Sequence, residues 1–308
     1  MTHYVFGPVP SRRLGRSLGV DLVPFKTCTY DCIYCQLGGT TCRTVERKEW
    51  VPLEQVLEQL QGKLATRPDY IALSGSGEPT LFAPLDRVID GIRAVTDIPI
   101  AVLTNGSLLG NSAVQRELRD ADLVIPSLDA GNENTFRLVN RPHEAVSFEQ
   151  MLAGMVSFRR RFRGQYWLEV LLVDPYTTSE RELADMRHCV ELIRPDRVQL
   201  NTVTRPPTES YAQPVSAARL AEIASTFQPP AEVIAEHQAG GEERSPSCGR
   251  EEILDLLRCR PCTTADIAAG LALHPAEVVK LVESLCLEGL LETCPAAGKL
   301  HYRMASKP

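Results

Sequence analysis

The sequence has 308 residues with 44% hydrophobic and 23% charged side chains, a composition that indicates an ordinary globular protein and excludes wholesale disorder. A formal net charge of −6 argues against a general affinity for nucleic acid or for an anionic membrane surface. The length is sufficient for one large α/β domain and a smaller second domain.

The N-terminal segment, residues 4–16, is rich in proline, glycine and arginine and predicts an irregular leader. Arg12, Arg13 and Arg16 make this leader basic, and we expect it to cover the mouth of the domain that follows. Residues 17–23 are mostly apolar and predict the first strand.

Three cysteines, Cys28, Cys32 and Cys35, follow this strand within eight residues. A complete local metal site takes four protein ligands, and no fourth cysteine is close enough to complete the set. Three thiolates therefore leave one metal position open to another molecule. The motif predicts an iron–sulfur cluster with an open iron, which serves chemistry and not scaffolding.

Helical and strand patterns alternate from residue 52 onward. Strands are predicted at 70–74, 98–104, 123–129, 167–173 and 197–201, and helices at 52–64, 84–95, 112–119, 147–163, 180–193 and 217–227. Repeated βα units with near-continuous apolar strands indicate an α/β fold with a parallel sheet and helices outside it. Such units fit a partial (β/α)6 TIM-like barrel, whose site lies at the carboxyl ends of the strands. A doubly wound open sheet fits the same periodicity.

The C-terminal part predicts a second, smaller domain. Residues 236–249 have the composition of a linker between a domain of residues 1–235 and one of residues 250–308. Three helices and then two strands around residues 295–298 are predicted there, the order of a winged helix-turn-helix. The third helix, residues 275–288, carries mainly acidic side chains, which argues against binding to duplex DNA.

The sequence begins without a signal-peptide pattern and contains no apolar run long enough to span a bilayer. We therefore expect a cytoplasmic protein without membrane contact. Ten cysteines in such a chain indicate reduced thiols that bind metal, and not a disulfide framework. Cys248, Cys259 and Cys262 are candidates for a second metal site, although no clear fourth ligand follows them.

The cysteine motif with Tyr34 before its last cysteine, the Gly-Ser-Gly-Glu-Pro sequence of residues 75–79 and the βα repeat together resemble the radical S-adenosylmethionine (SAM) superfamily. The resemblance covers about residues 1–205. It implies that the three cysteines hold a [4Fe-4S] cluster whose remaining iron binds SAM. It also implies reductive cleavage of SAM to a 5′-deoxyadenosyl radical, with the protein positioning and shielding the reactants.

Residues 127–130, 140–142 and 195–201 are similar to the branch of that superfamily that contains the wybutosine-synthesising tRNA enzyme. That branch is expected to bind a second cluster through cysteines upstream of the motif. No cysteine precedes Cys28 in this chain, so the tricyclic-base reaction is not carried over.

The resemblance implies SAM-binding residues at three strand ends. They are Gly75, Ser76, Gly77 and Glu78 at the first end, Asn105 at the second, and Ser127 and Asp129 at the third. The first group would approach the methionine amino group, the second would reach the methionine part, and the third would bind the ribose hydroxyls. An ordinary βα turn and simple core packing are the alternatives.

Polar residues after the fourth predicted strand are candidates for substrate binding. They are Arg137, Asn140, Arg141 and His143, a set that suits an anionic or nucleotide substrate, with a solvated loop as the alternative. Glu169 and Asn201 lie at strand positions that face either the barrel interior or the core. Lys26 lies beside the cysteine motif, as a surface charge or a Schiff-base lysine.

These features predict a radical SAM enzyme of the oxidoreductase or transferase type that acts on tRNA or another nucleotide. A peptide or small-molecule substrate is the alternative. The expected partners are a low-potential electron donor of the ferredoxin or flavodoxin type and an RNA or peptide substrate. The competing hypothesis is a redox-sensing iron–sulfur regulator whose winged helix reads DNA.

Overall fold

The computed structural model describes residues 3–234, 250–271 and 273–305. Within these ranges, the central sheet has eight strands, β1 (Val5–Ser11), β2 (Gly15–Val20), β3 (Tyr70–Leu73), β4 (Ile100–Thr104), β5 (Leu123–Pro126), β6 (Gln165–Leu172), β7 (Arg197–Thr202) and β8 (Glu232–Val233). The helices between and after these strands are α1 (Leu53–Lys63), α2 (Asp86–Arg93), α3 (Ser112–Glu117), α4 (Glu133–Val139), α5 (Phe148–Arg161), α6 (Glu180–Ile193) and α7 (Ala217–Ala224).

The strands of this sheet lie side by side in chain order, from β1 to β8. β1 pairs with β2 in the antiparallel direction, and each later neighbour pair is parallel. A doubly wound sheet reverses its strand order partway across, so the structure excludes that alternative. The observed order is the one that a (β/α) barrel requires, and it brings the carboxyl ends of β2 to β7 to one edge.

The predicted helices and strands are present, with ends that differ by a few residues. Helix α6 has the predicted bounds, because Ser179 caps its first turn by accepting a hydrogen bond from the Glu182 amide and because Arg194 ends it in the left-handed conformation. Helix α5 likewise begins after Ser147, whose side chain accepts from the amide of Gln150.

One local prediction was wrong, and one helix was not predicted. The N-terminal leader is not irregular, because Val5 to Ser11 form β1 and pair with β2. The polar stretch after β5 contains helix α4, which Asn132 caps and which buries Phe136 and Val139 on one face. In both places, burial against another part of the fold outweighs the local composition.

The C-terminal part contains α8 (Arg250–Cys259), α9 (Thr264–Leu271) and α10 (Pro275–Leu287), followed by an antiparallel pair, β9 (Leu291–Ala296) and β10 (Lys299–Met304). This order of elements is the predicted one. Its apolar cluster also contains Val9 of β1, with Phe6 packed against it. The C-terminal part therefore packs directly on the N-terminal hairpin of the sheet.

Among the described residues, no helix is both long enough and apolar enough to cross a bilayer.

Candidate functional site

The cysteine loop, residues 26–44, leaves the carboxyl end of β2 and folds over the end of α4. Tyr30 and Ile33 are buried, at 2% and 0% exposure, and the Tyr30 ring packs edge-on against Phe136 at 5.3 Å. The Ile33 amide donates a hydrogen bond to the Val139 carbonyl at 3.0 Å. These apolar anchors and backbone bonds fix the loop and leave the cysteine side chains at the strand ends.

Each cysteine sulfur of the motif accepts a hydrogen bond from a side-chain nitrogen. The donor–sulfur pairs are Asn105 Nδ2 with Cys28 Sγ at 3.5 Å, Asn140 Nδ2 with Cys32 Sγ at 3.5 Å, and Lys26 Nζ with Cys35 Sγ at 3.1 Å. Lys26 is only 3% exposed, so it is not the surface charge that was one of its two predicted roles. Such donors stabilise negative charge on sulfur, as metal-bound thiolates require.

The metal-free thiols themselves are poor acids. Burial, with the nearby Glu78 carboxylate second, raises the pKa of Cys28 to about 12. Burial also raises the pKa of Cys32 well above its ordinary value. Metal binding deprotonates a coordinating thiol outright, so these positions suit metal ligands better than free nucleophiles.

The three cysteine sulfurs can be compared with the ligand sets of a single metal ion and of an iron–sulfur cluster. In the described parts of the chain, no group of three His, Cys, Asp or Glu side chains could hold one metal ion. The thiolates of a [4Fe-4S] cluster bind different iron atoms and so stand farther apart than the ligands of one ion. Three sulfurs on one fixed loop, each with a nitrogen donor, supply thiolate ligands of the kind that such a cluster needs.

The Gly-Ser-Gly-Glu-Pro loop after β3 packs against the cysteine loop. The Lys26 amide donates to the Ser76 carbonyl at 2.8 Å, and the Glu78 amide donates to the Thr27 carbonyl at 3.1 Å. A Cβ atom at Gly77 would lie 1.8 Å from the Thr27 carbonyl oxygen, so a side chain cannot be accommodated there. Gly77 thus allows the two loops to touch.

Glu78 is 2% exposed, and its carboxylate accepts hydrogen bonds from protein groups. Oε1 accepts from the hydroxyl groups of Thr80 and Thr104, both at 2.6 Å, and Oε2 accepts from the Asn105 amide at 2.7 Å. Burial raises the pKa of this carboxyl. In this position Glu78 fixes the end of β4 and hence Asn105, and its contact with the methionine amino group stays a prediction.

Asp129 and Asn140 connect the end of β5 to the cysteine loop. The Tyr34 hydroxyl donates to Asp129, and Asn140 Nδ2 lies 2.9 Å from Asp129 Oδ2. The Leu171 amide donates to Oδ1 at 3.2 Å. Burial raises the pKa of Asp129 to about 6, although the bonds from Tyr34 and Asn140 oppose that rise. Three elements are therefore joined through one buried carboxyl group.

A cavity of about 380 Å³ lies at the carboxyl ends of the strands, next to Cys35. Four of the predicted SAM-binding residues line it, namely Gly75, Gly77, Ser127 and Asp129. The other three, Ser76, Glu78 and Asn105, are not among the lining residues, and their hydrogen bonds support the two loops. The cavity thus adjoins both the cysteine loop and the Gly-Ser-Gly-Glu-Pro loop.

The four predicted substrate residues, Arg137, Asn140, Arg141 and His143, are not part of the cavity lining. Asn140 is buried and supports the cysteine loop, as described above. Arg137 forms an ion pair with Glu133 at 2.6 Å, and Arg141 forms one with Glu209 at 2.7 Å. Their role in substrate binding stays a prediction.

Among the described residues, four arginines line the cavity, and sequence analysis singled out only two of them. Arg12 and Arg13, from the turn between β1 and β2, line it as the prediction for the leader requires, whereas Arg16 is exposed. Arg205 and Arg260 also line it. Sequence analysis did not single out these two residues, because neither belongs to a recognisable motif. Arg205 follows β7, and Arg260 directly follows α8.

The second metal site predicted at Cys248, Cys259 and Cys262 stays a prediction. Cys248 lies outside the described residues, as does the side chain of Cys259. Cys262 is 0% exposed and belongs to the apolar cluster of the C-terminal part.

Comparison with known proteins identifies the class. The family model of the radical SAM superfamily matches residues 22–186, and the chain belongs to that superfamily. Its members are enzymes, and the cofactors of the chain are a [4Fe-4S] cluster and SAM. The solved structure of native anSMEcpe with bound AdoMet has the same fold, with a TM-score of 0.51 at 14% identity over 70% of this chain and 63% of that one.

The chain is also similar over nearly its whole length to the following two proteins. A UPF0026 protein of Methanocaldococcus jannaschii is 35% identical over 314 residues, which cover 96% of this chain and 94% of that protein. A protein of Brachyspira hyodysenteriae named GTPase Obg is 37% identical over 306 residues, which cover 98% of this chain but 45% of that protein. Superfamily membership supports an enzyme, and it does not support the redox-sensing regulator.

Proposed function

We propose that the protein is a radical SAM enzyme in which Cys28, Cys32 and Cys35 hold the [4Fe-4S] cluster and SAM binds in the adjoining cavity. The observation that carries this proposal is the set of three fixed sulfurs, each with a nitrogen donor, beside that cavity. When bound, the cluster and SAM supply a 5′-deoxyadenosyl radical by one-electron reduction.

The chain's own residues bind, orient and shield these groups. Lys26, Asn105 and Asn140 place nitrogen donors on the sulfurs and so influence the reduction potential. The cavity wall contributes Gly75, Gly77, Ser127 and Asp129 as the candidates for SAM. Apolar wall residues, including Leu103 and Leu171, exclude water from the same space.

We propose tRNA or another nucleotide as the substrate. The support is the similarity of residues 127–130, 140–142 and 195–201 to the branch that contains the wybutosine-synthesising tRNA enzyme. No GTPase activity is proposed, since the sequence lacks the Gly-x-x-x-x-Gly-Lys-Ser/Thr phosphate loop. An electron donor of the ferredoxin or flavodoxin type would supply the reducing electron.

The C-terminal part, residues 250–308, is proposed to be a winged helix-turn-helix domain joined by residues 236–249 to the radical SAM domain. Three helices followed by an antiparallel strand pair support this assignment. Glu277 and Glu283 are exposed on α10, and Glu288 is exposed directly after it, which disfavours duplex DNA and leaves RNA or peptide binding.

The direct test is anaerobic reconstitution with iron and sulfide, followed by incubation with SAM and dithionite. We expect 5′-deoxyadenosine in the reaction mixture, detected by liquid chromatography and mass spectrometry. Cys32→Ala removes a proposed ligand and should abolish both the cluster absorbance and the product. Cys286→Ala, in α10, should change neither. A fully loaded wild-type cluster that yields no 5′-deoxyadenosine would refute the proposal.

The substrate class is tested by comparing the modified nucleosides of total tRNA from a deletion strain and its parent. We expect one modified nucleoside to disappear and its precursor to accumulate. Complementation with the wild-type gene should restore it, and complementation with the Cys32→Ala variant should not. Identical nucleoside profiles in the two strains would count against tRNA as the substrate.

A further inference from the structure

The cavity has a positively charged side although the chain as a whole is acidic. Among the described residues that line it, four are arginines, namely Arg12, Arg13, Arg205 and Arg260, and the lining carboxylates are those of Asp129 and Glu169. The formal net charge of the chain is −6. The concentration of arginine in this one cavity is therefore a local feature of the site, and an excess of positive charge in a low-dielectric cleft attracts anions.

Part of this arginine group is held by a buried polar network. Arg13 Nη1 lies 2.7 Å from Glu169 Oε2, and Asn201 Nδ2 donates to Glu169 Oε1 at 2.8 Å. Arg12 Nη1 donates in turn to Asn201 Oδ1 at 3.2 Å. In this network the Glu169 carboxylate fixes the orientation of Arg13. Glu169 and Asn201 both line the cavity, so of their two predicted surroundings they face the interior of the barrel.

Arg205 has a buried hydrogen-bond donor that is not satisfied by the protein. Its Nη1 donates to Gln36 Oε1 at 3.1 Å, while its Nε is buried and has no hydrogen-bond partner in the structure described. Burial, with the charges of Arg260 and Arg12 acting in the same direction, lowers the pKa of Arg205 to about 9. The Asp266 carboxylate of α9 acts on the pKa of Arg205 in the opposite direction and offsets part of this charge. The positive charge that remains around a buried donor without a partner favours the binding of an anion.

The C-terminal part contributes directly to this wall. Leu256 of α8 and Arg260, the residue directly after α8, line the cavity. The helix packs on β1 through an apolar cluster that includes Val9. Phe6 of β1 covers Gly19, where any Cβ atom would lie 2.0 Å from the ring. The arginine group is therefore assembled from the β1–β2 turn, the segment after β7 and the end of α8.

We propose that Arg12, Arg13, Arg205 and Arg260 form a subsite for the phosphate group of the substrate, a proposal that rests on the proposed function on a nucleotide. Arginine suits phosphate because its planar guanidinium donates two parallel hydrogen bonds to phosphate oxygens. The phosphate belongs either to a free nucleotide or to RNA. The C-terminal part thereby completes the substrate site through Arg260.

Binding is measured by isothermal titration calorimetry on the full chain with its cluster reconstituted and without dithionite, so that no turnover is needed. The probes are the four nucleoside 5′-monophosphates, the matching nucleosides and a short single-stranded RNA with a 5′-phosphate. The variants are Arg205→Gln and Arg260→Gln, with Arg205→Lys retaining the charge. Arg119→Gln serves as the control, since Arg119 is exposed and outside the cavity lining. Thermal melting confirms that each variant is folded.

We expect a monophosphate or the RNA to bind, and each glutamine variant to weaken that binding about 10- to 100-fold, the usual effect of losing a charge-assisted hydrogen bond. Arg205→Lys should restore part of the affinity, and Arg119→Gln should leave it unchanged. A mononucleotide that binds in this way identifies a free nucleotide, and binding restricted to the RNA identifies RNA as the phosphate source.

The proposal is overturned if nucleosides bind as tightly as monophosphates, if no phosphate-bearing probe binds the wild type, or if folded glutamine variants bind normally. SAM affinity is measured on the same samples and should change less than about threefold. An equal loss of SAM and nucleotide affinity would assign the arginines to the SAM carboxylate and would also overturn the proposal. Failure of 5′-deoxyadenosine formation with intact phosphate binding would refute the proposed function alone.

Discussion

The buried lysine beside the cysteine loop should raise the reduction potential of the cluster. Lys26 is 3% exposed, and its Nζ lies 3.1 Å from Cys35 Sγ. Lys26→Met keeps most of the side-chain volume and removes the charge and the donor. Because reduction adds an electron next to the ammonium group, we expect the variant cluster to be harder to reduce.

The size of the effect follows from the short distance and the burial. A unit charge about 5 Å from the added electron contributes about 3 kcal/mol at an effective dielectric constant of about 20. A one-electron couple shifts by about 59 mV for each tenfold change in its equilibrium constant, so this contribution corresponds to about 140 mV. We therefore expect the midpoint potential of Lys26→Met to fall by about 50 to 140 mV, with partial screening accounting for the lower value.

The assay is an anaerobic redox titration monitored by electron paramagnetic resonance of the reduced cluster. Lys280→Met is the matched control, because Lys280 is exposed on α10, and its midpoint should stay within about 20 mV of the wild type. Iron and sulfide analysis ensures that equally loaded samples are compared. A midpoint in fully loaded Lys26→Met that equals or exceeds the wild-type value would refute the electrostatic reasoning.

Three further predictions concern ligands, loop contact and pH. Cys32→Ala should lose its iron while Cys286→Ala retains it, and equal iron loss measured in both would contradict the ligand assignment. Gly77→Ala should lower the thermal midpoint and cluster loading, because its Cβ would lie 1.8 Å from a carbonyl oxygen. Gly62→Ala, within α1 with nothing within 4 Å of the added Cβ, should instead stabilise the protein by about 1 kcal/mol; equal effects in chemical denaturation would argue against the loop contact. Burial lowers the pKa of His301 from 6.5, so its contribution to stability is present above that pH and is lost as the pH falls. The thermal midpoint should therefore fall more in the wild type than in His301→Leu between about pH 7.5 and 5.5, and parallel curves would contradict this.

The local sequence is sufficient to predict most elements and the nature of the site. Apolar periodicity and a capping serine define α6, whose predicted and observed bounds agree at Glu180–Ile193. The spacing of Cys28, Cys32 and Cys35 identifies the cluster motif, because the spacing is a property of the chain itself. The apolar periodicity, the helix cap and the cysteine spacing each depend only on residues that are close together in the sequence.

Predictions from local composition were wrong where contacts between different segments of the chain determine the structure. Residues 4–16 looked irregular, yet pairing with β2 makes a strand of Val5–Ser11. The choice between a barrel-like and a doubly wound sheet could not be made from periodicity, because strand order depends on which strands pair and not on where they occur along the chain.

The cysteine motif shows most clearly which features can be predicted from the sequence and which depend on the tertiary structure. The sequence by itself places three cysteines within one loop and predicts that one cluster position stays open. Only the tertiary structure decided their surroundings, since Asn105 is 77 residues from Cys28 and Asn140 is 108 residues from Cys32. Arg260 joins the cavity for the same reason, since α8 packs on β1. Contacts between distant segments form through packing of the whole fold, and no local pattern encodes them.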